Sequence, residues 1–391
     1  MDTLSTNIYD GLNDEQRKVA MCRDNRVLVL AAAGTGKTTT CAAWAAARIS
    51  EGIPPEKLLM LTFTRAAAAE MKERVAFKTG LPTNILQSGT YHSIACRLIR
   101  DDPQGFGLPE NFTIIDDKDS KAMIKQAAES SGEYNPDFGN LNFRDVVKMI
   151  SKSRNRLIPV WLSYFNRDAK IKDTPASQGI YPKNNEEGPV AERILSEYRK
   201  LLRQQGCLDF DGILEVWHDR LQYDPEYSQI LREKWTHVLV DEVQDNNKLN
   251  QSIIDHLNPE TMLAVGDKQQ AIYAFRGASP EVVDELHDRC KILRLSTNYR
   301  CSHNVLSLSN RIIAKFPGDE SLRVFMNAGT SIDGKTRAFR FEDEGAESSA
   351  AAMWVKRQID NGSPPGSVAV LSRASATLTP IEGELMKAGI P

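Results

Sequence analysis

The stretch that most constrains this chain is Val27-Leu28-Val29-Leu30-Ala31-Ala32-Ala33-Gly34-Thr35-Gly36-Lys37-Thr38. It reads as a buried β-strand, a tight turn of small residues, and a helix opening on Lys37-Thr38. That is the layout of a phosphate cradle. N–H groups of the turn and of the helix N-terminus face anionic oxygens, Lys37 adds positive charge, and the Thr38 hydroxyl can hold Mg²⁺. The strict motif has Gly six positions before the lysine, where this chain has Ala31. Gly34 and Gly36 stand where the loop must turn and admit phosphate to the backbone. An Ala/Gly-rich turn without a ligand is the plain alternative, and Gly-Lys-Thr directly after an apolar strand favours the cradle.

With 391 residues the chain is long enough for two or three domains of about 150 residues each. A net charge of -3 argues against a uniformly basic nucleic-acid coat but leaves room for a local basic groove. Six dispersed cysteines with no C-x-x-C pair fit buried thiols in a reducing cytosol, so a cytoplasmic protein is expected. The histidines are equally scattered and suggest no metal cluster. Met1 to Asn25 is polar and acidic, unlike a secretory leader, and no apolar run approaches the roughly 20 residues of a membrane span.

Upstream of the cradle, Leu12-Asn13-Asp14-Glu15-Gln16-Arg17 opens a helix, with Asn13 as cap. Gln16 has the donor and acceptor to read an adenine edge, although a surface glutamine fits equally. Downstream, strands are expected at Leu58–Thr62 and Ile85–Ser88, each followed by a helix. This is the pattern of a parallel sheet with ligands at its C-terminal edge. Phe63, Thr64, Tyr91 and His92 fall at that edge. From Asp101 to Gln205 the pattern is helical, with no convincing strand pair. Within it Arg144–Lys172 has eight basic against two acidic residues, with Trp161, Tyr164 and Phe165 interleaved. Single-stranded nucleic acid would suit such a stretch; a solvated helix face with core aromatics accounts for it equally.

Strands resume at His237–Val240, ending in Asp241-Glu242-Val243-Gln244-Asp245, and at Met262–Val265, ending in Gly266-Asp267-Lys268-Gln269-Gln270. A second unit is expected from Lys291, with strands at Ile292–Leu295, Arg337–Phe341 and Ser367–Leu371, too few for a complete doubly wound sheet. Asp241 would hold Mg²⁺ beside Thr38, and Glu242 would orient and deprotonate an attacking water. Gln270 could contact the γ-phosphate or that water. Arg300, following the first strand of the second unit, could bring positive charge to the phosphoryl group from a separate domain. A surface salt bridge is the plainer role for it.

Taken together these motifs resemble the UvrD/Rep-like superfamily 1 DNA helicases. The matching stretches are Leu12-Asn13 with Gln16, Ala31 to Thr38, Thr62-Phe63-Thr64 with Ala67 to Met71, Gly89-Thr90-Tyr91-His92, and Asp209-Phe210. They continue with Asp241 to Asp245, Gly266-Asp267 through Gln270 to Gly277, and Asn298-Tyr299-Arg300. The resemblance implies an α/β fold: a RecA-like P-loop NTPase sheet at 1–100 and 206–290, a helical insertion at 101–205, and an incomplete second RecA-like domain at 291–391. It implies ATP and Mg²⁺ as cofactors. Ala33, Gly34, Thr35, Gly36, Lys37, Thr38 and Thr39 would surround the nucleotide, with Gln16 reading adenine and Tyr299 stacking on it. Gln270 and Arg300 would contact the γ-phosphate. Thr62, Phe63, Thr64, Tyr91, His92, Tyr273, Phe275 and Arg276 would line a single-stranded DNA path, at a single-strand/duplex junction, along which the family moves 3′ to 5′. Protein partners are not implied.

Four positions depart from the family. Ala32 replaces a usual Gly, whereas Ala31 is normal for it. Thr39 replaces an Arg that packs near adenine, and Phe275 replaces Trp. The chain also stops at Pro391, roughly where an accessory domain follows, although Ser372-Arg373 and Glu382 match a last motif. The expected function is an ATP-dependent helicase or translocase, present as an N-terminal portion that binds nucleotide but turns over poorly. A nucleotide-responsive DNA-binding or scaffold protein without motor activity is the alternative. A small-molecule kinase would explain Gly34–Thr38 but not Gln244-Asp245 or Gln270–Gly277.

Overall fold

A computed structural model describes residues 8–132, 143–157, 187–274 and 277–390. Two compact units divide the chain, with the break between Asp333 and Gly334. The first is built on a six-stranded parallel sheet of order β3-β2-β6-β7-β1-β8. Its strands are β1 (Arg26–Ala31), β2 (Leu58–Leu61), β3 (Gln87–Gly89), β6 (His237–Val240), β7 (Thr261–Gly266) and β8 (Lys291–Leu295). Two short strands, β4 (Thr113–Ile114) and β5 (Cys207–Leu208), form a separate pair.

The central strands are apolar at successive positions because both faces are covered by helices. Alternation then sorts the side chains. Leu28, Leu30, Leu59, Leu61, Val238 and Val240 face one layer, with Trp217, Trp235, Ile253 and Leu286 from helices Phe210–Tyr223, Lys248–Leu257 and Glu281–Arg289 and from the turn before β6. Val27, Val29, Leu58, Met60, Leu239 and Leu263 face the other, with Trp44, Met71 and Val75 from helices Lys37–Ser50 and Arg65–Thr79. A strand buried this way can place polar groups only at its ends. The residues after β1, β2, β3, β6 and β7 therefore gather along one edge of the sheet.

β8 corrects the expected domain boundary. It runs parallel to β1, with Val27 opposite Lys291 and Val29 opposite Leu293, and so completes the first sheet rather than starting a second. Leu293 and Leu295 are buried against the second layer while Lys291 and Arg294 face solvent, as suits an edge strand. The first unit continues through β9 (Thr297–Asn298), helix His303–Ile313 and β10 (Asn327–Ala328), which pairs parallel with β9. The second unit contains helices Glu344–Asp360 and Thr379–Lys387. Arg337–Phe341 and Ser367–Leu371, expected as strands, form no ladder. A strand needs a hydrogen-bonded neighbour, and among the described residues of this unit none is paired; Phe339 and Leu371 are largely exposed.

The insertion packs helices Asp117–Ser130, Phe143–Arg156 and Glu187–Gln204 around a core of its own, including Ile124, Ile150, Ile194 and Tyr198. One strand of the β4–β5 pair lies inside 101–205, and its partner lies just beyond. Thr113 opposes Cys207 there, so the chain enters and leaves the insertion at neighbouring points. Of the expected basic stretch, Trp161, Tyr164 and Phe165 lie outside the described residues. Arg154 does not face solvent at all: it is buried, with Nη1 and Nη2 at 2.5 and 2.8 Å from the two Asp209 carboxylate oxygens and Nε 2.7 Å from Glu215. The Tyr198 hydroxyl donates to the same Asp209 at 2.8 Å. No described helix is long and apolar enough to cross a membrane.

Removing one partner from such a buried cluster strands the other charges. Arg154→Ala is therefore expected to destabilise the first unit by about 3–5 kcal/mol, read as a lower urea midpoint. An unchanged midpoint would show the cluster to be energetically neutral.

Candidate nucleotide site

β1 delivers the chain into the loop 32–36, whose two glycines are obligatory for separate reasons. Gly34 has φ 72°, and a Cβ there would lie 2.7 Å from Asn298 Nδ2. Gly36 has φ 81°, and its Cβ would lie 2.5 Å from Gln16 Nε2. Both conformations belong to the left-handed region that only glycine enters cheaply. Ala32, the departure from the family glycine, is buried in the core layer beside Leu30, so its methyl has a place to pack. Thr35 closes the loop by donating its hydroxyl to Ala32 O at 2.8 Å. Gly36 then starts helix Lys37–Ser50 without a capping side chain, which leaves the first-turn N–H groups open to an anion.

Lys37 reaches from this helix to Glu242, Nζ to Oε2 at 2.7 Å, bringing the ends of β1 and β6 together. Glu242 is a non-glycine residue at φ 52°, and strain of this kind collects at functional sites. Its Oε2 also accepts from Gln244 Nε2 at 2.9 Å, and Gln244 Oε1 accepts from Asp267 N at 3.0 Å. Asp267 in turn accepts from Gln270 Nε2 at 2.7 Å. A continuous polar chain therefore links Lys37, Glu242, Gln244, Asp267 and Gln270 across the ends of β1, β6 and β7. Gln244 and Asp267 lay within quoted motifs without an assigned role; the sequence signal was a pair of polar residues directly after apolar strands.

Asp241, Glu242 and Asp245 share this edge with one ammonium. Burial, then the neighbouring Glu242, pushes the Asp241 carboxyl up to about 6, and the same causes push Asp245 up to about 6. An added cation would relieve that crowding of negative charge. Among the described residues no three His, Cys, Asp or Glu side chains gather to cage a metal. Mg²⁺ does not need such a cage, since it keeps waters and takes one or two carboxylates with substrate phosphates. Half-buried Thr38 and buried Asp241 suit that manner of binding.

The segment 296–301 presses on the loop from the β8 side. Asn298 is fully buried, and its Nδ2 donates to Ala33 O at 2.6 Å while its Oδ1 accepts from the N–H groups of Arg300 and Cys301 at 2.9 and 2.8 Å. Tyr299 N donates to Gly34 O at 2.9 Å. Arg300 thus belongs to the first unit and abuts the loop directly, which corrects the expectation that it arrives from a separate domain. Gln16 is buried, with Nε2 donating to Thr35 O at 2.9 Å and Oε1 accepting from Asn13 N at 3.1 Å. It holds the loop rather than lying on the surface. Thr39 accepts from Arg74 Nη1 at 3.1 Å and lines, with Phe77 and Lys78, an open cleft of about 470 Å³.

The expected DNA path is only partly at the surface. Thr62 and Tyr91 are buried: Thr62 donates to Thr64 O at 2.9 Å, and the Tyr91 hydroxyl accepts from Asn246 Nδ2 at 2.9 Å. Both are held inward because they start a turn or helix over the core, so neither offers a face to DNA. Thr64 is exposed and caps helix Arg65–Thr79. Phe63 stacks at a tilt on Tyr273, ring centroids 4.7 Å apart, and His92 lies flat on exposed Phe210 at 3.8 Å. Phe210 had no assigned role; an aromatic just after a helix cap, in a motif, was its only signal. Burial pushes His92 down to about 4, so its ring is neutral and offers a stacking face rather than a charge. Phe275 and Arg276 lie outside the described residues.

A family profile described as the UvrD/REP helicase N-terminal domain matches residues 12–291. The chain is 30% identical over 409 residues to the ATP-dependent DNA helicase UvrD1 of Mycobacterium tuberculosis (strain ATCC 25618 / H37Rv), covering 98% of this chain and 49% of that protein. It is 27% identical over 390 residues to the ATP-dependent DNA helicase PcrA of Staphylococcus epidermidis (strain ATCC 12228 / FDA PCI 1200), covering 98% and 51%. With the DNA helicase II of Escherichia coli (strain K12) it is 28% identical over 394 residues, again covering 98% and 51%. The chain spans about half the length of the curated relatives it matches.

His92 carries a pH signature. Between about pH 6.5 and 4 an unfolded histidine takes up a proton that the folded ring refuses, so stability falls as pH falls through that window. His92→Phe keeps a ring on Phe210 and removes the titration. Its unfolding free energy should decline less across this range, by on the order of 2 kcal/mol; parallel curves for the two proteins would contradict the depressed pKa.

Proposed function

This chain belongs to the UvrD/REP helicase family, and from that premise we propose that it carries the ATP-binding face of a cytoplasmic, ATP-dependent DNA helicase or translocase. The observation that carries the reading is the Lys37–Glu242 pair at 2.7 Å, which sets the cradle's cation against the carboxylate best placed to act on water. Phosphate oxygens compete with Glu242 for the Lys37 ammonium. Once Lys37 turns to phosphate, Glu242 Oε2 is free to orient a water and take its proton, while Gln244 keeps the carboxylate aimed. Thr38 and Asp241 would hold Mg²⁺, which offsets phosphate charge when bound. Gln270, held by Asp267, and Arg300, fixed beside Gly34, are the remaining polar contacts proposed for the γ-phosphate. Tyr299 offers its half-exposed ring to adenine.

The half-exposed aromatic pairs Phe63–Tyr273 and His92–Phe210 support a single-stranded DNA path, because unstacked bases bind aromatic faces irrespective of sequence. Thr64, Phe275 and Arg276 are proposed to join them. Movement 3′ to 5′, and preference for a single-strand/duplex junction, belong to the same proposal. The six free cysteines fit a reducing compartment.

Lys37→Ala should weaken binding of a fluorescent ATP analogue by about tenfold or more, from loss of a charge-assisted contact. Glu242→Gln should leave that affinity within about threefold and lower ATP turnover by at least about a hundredfold. Normal turnover in Glu242→Gln would move the base elsewhere. Turnover is read with and without single-stranded DNA; nucleotide-dependent DNA binding without any stimulation would favour a scaffold over a motor.

A further inference from the structure

Helix Asp14–Ala20 begins with a capping box in which Asn13 and Gln16 bond each other's backbone N–H groups. Its first turn also grips two separate parts of the site. Gln16 holds Thr35 of the loop, while Asn13 Nδ2 donates to the Tyr299 hydroxyl at 2.6 Å. Glu15, between them, turns to the chain leaving β8. Its Oε2 accepts from Ser296 N at 2.8 Å and Thr297 N at 3.3 Å, and its Oε1 accepts from the Ser296 hydroxyl at 2.6 Å.

These bonds answer a specific backbone problem. β8 pairs with β1 only up to Leu295 opposite Ala31, because β1 then turns away into the cradle loop. The N–H groups that follow lose β1 as a partner, although β9 gains β10 on its other side. Tyr299 N finds Gly34 O, and Arg300 and Cys301 find the Asn298 side chain. Ser296 and Thr297 find Glu15. The carboxylate thus stands in for β1 at the point where the chain crosses the loop. Burial opposes its charge, but the bonds from Ser296 and Thr297 outweigh that and hold its pKa below the usual carboxylate range.

We propose that Glu15 is a positioning residue, latching the 296–300 segment so that Tyr299 and Arg300 are seated against the phosphate loop. Both of its carboxylate oxygens are committed to Ser296 and Thr297, so it acts through Asn298, Tyr299 and Arg300. The consequence for turnover rests on the ATP-hydrolysing function proposed above, whereas the latch does not. Because Arg300 is exposed and long, small shifts of its backbone carry its guanidinium away from a γ-phosphate, while helix Lys37–Ser50 keeps its own backbone bonds and Gln16 still holds the loop at Thr35. Arg300 carries the larger loss, in kcat, and Tyr299, proposed to stack on adenine, a smaller one in affinity.

The test uses the 391-residue chain and the variants Glu15→Ala and Glu15→Gln, read by two methods. In hydrogen exchange, Glu15→Ala should speed exchange of the 296–301 amides at least about tenfold while helix Lys37–Ser50 keeps its protection. Glu15→Gln retains one acceptor oxygen and should restore most of it. In turnover assays with single-stranded DNA, Glu15→Ala should lower kcat about tenfold with the affinity for a fluorescent ATP analogue within about threefold, and Glu15→Gln should recover activity. Unchanged exchange at 296–301 would overturn the latch, as would a Glu15→Ala protein whose loss lies wholly in nucleotide affinity. If the unaltered chain hydrolyses no ATP, the proposed function fails for it, and the exchange result alone decides the latch.

Discussion

The structure depends on a single constraint: β1 is buried on both faces, so its backbone must be satisfied by β7 on one side and β8 on the other until it turns. At the turn those bonds end, and N–H groups are released toward one edge of the sheet. Everything at the site responds to that release. Gln16, Asn298 and Tyr299 supply partners for the loop from both sides, and the unpaired groups of the following helix are left to face an anion. A cradle of this kind is cheap to keep open because the bonds that shape it come from neighbours rather than from whatever it holds.

The polar chain from Lys37 to Gln270 shows why the motifs must lie in one order in space though scattered in sequence. Three strands end side by side, and each hands a polar residue to the next. The left-handed backbone at Glu242 is part of this. It turns the chain after β6 sharply enough that Glu242 and Gln244, two positions apart, reach Lys37 and Asp267 at the ends of two other strands.

Much of this was legible in the sequence, and the failures have physical causes. Continuous apolar runs with small or polar residues at their C-terminal ends marked β1, β2, β6 and β7, and the loop glycines were recognisable because two unrelated demands meet on them. Ile292–Leu295 reads as a strand but is assigned to the wrong sheet, because nothing in four residues says that its partner lies some 260 residues earlier. Tyr91 and His92 looked alike as edge aromatics; one helix step puts the first in the core and leaves the second against Phe210. Arg154 looked like surface charge until its partners, more than fifty residues away, came into view. Glu15 sat beside a recognised glutamine and carried no signal beyond a charged first-turn position.

The short β4–β5 ladder has a bearing on how such a chain can vary. Thr113 and Cys207 are neighbours in a sheet, so the two ends of the insertion are separated by only about 4.8 Å. Seen from the parallel sheet, everything between them is a closed loop of almost no span, whose closure cost grows only with the logarithm of its length. The insertion also brings a core of its own. Lengthening, shortening or exchanging it therefore places little demand on the strands that carry the nucleotide site, provided Asp209, Asp211 and Asn247 keep partners to answer them. The insertion is thereby anchored through a two-residue ladder and through one helix, Phe143–Arg156, whose Arg154, Asn155 and Ser151 meet Asp209, Glu215, Asp211 and Asn247.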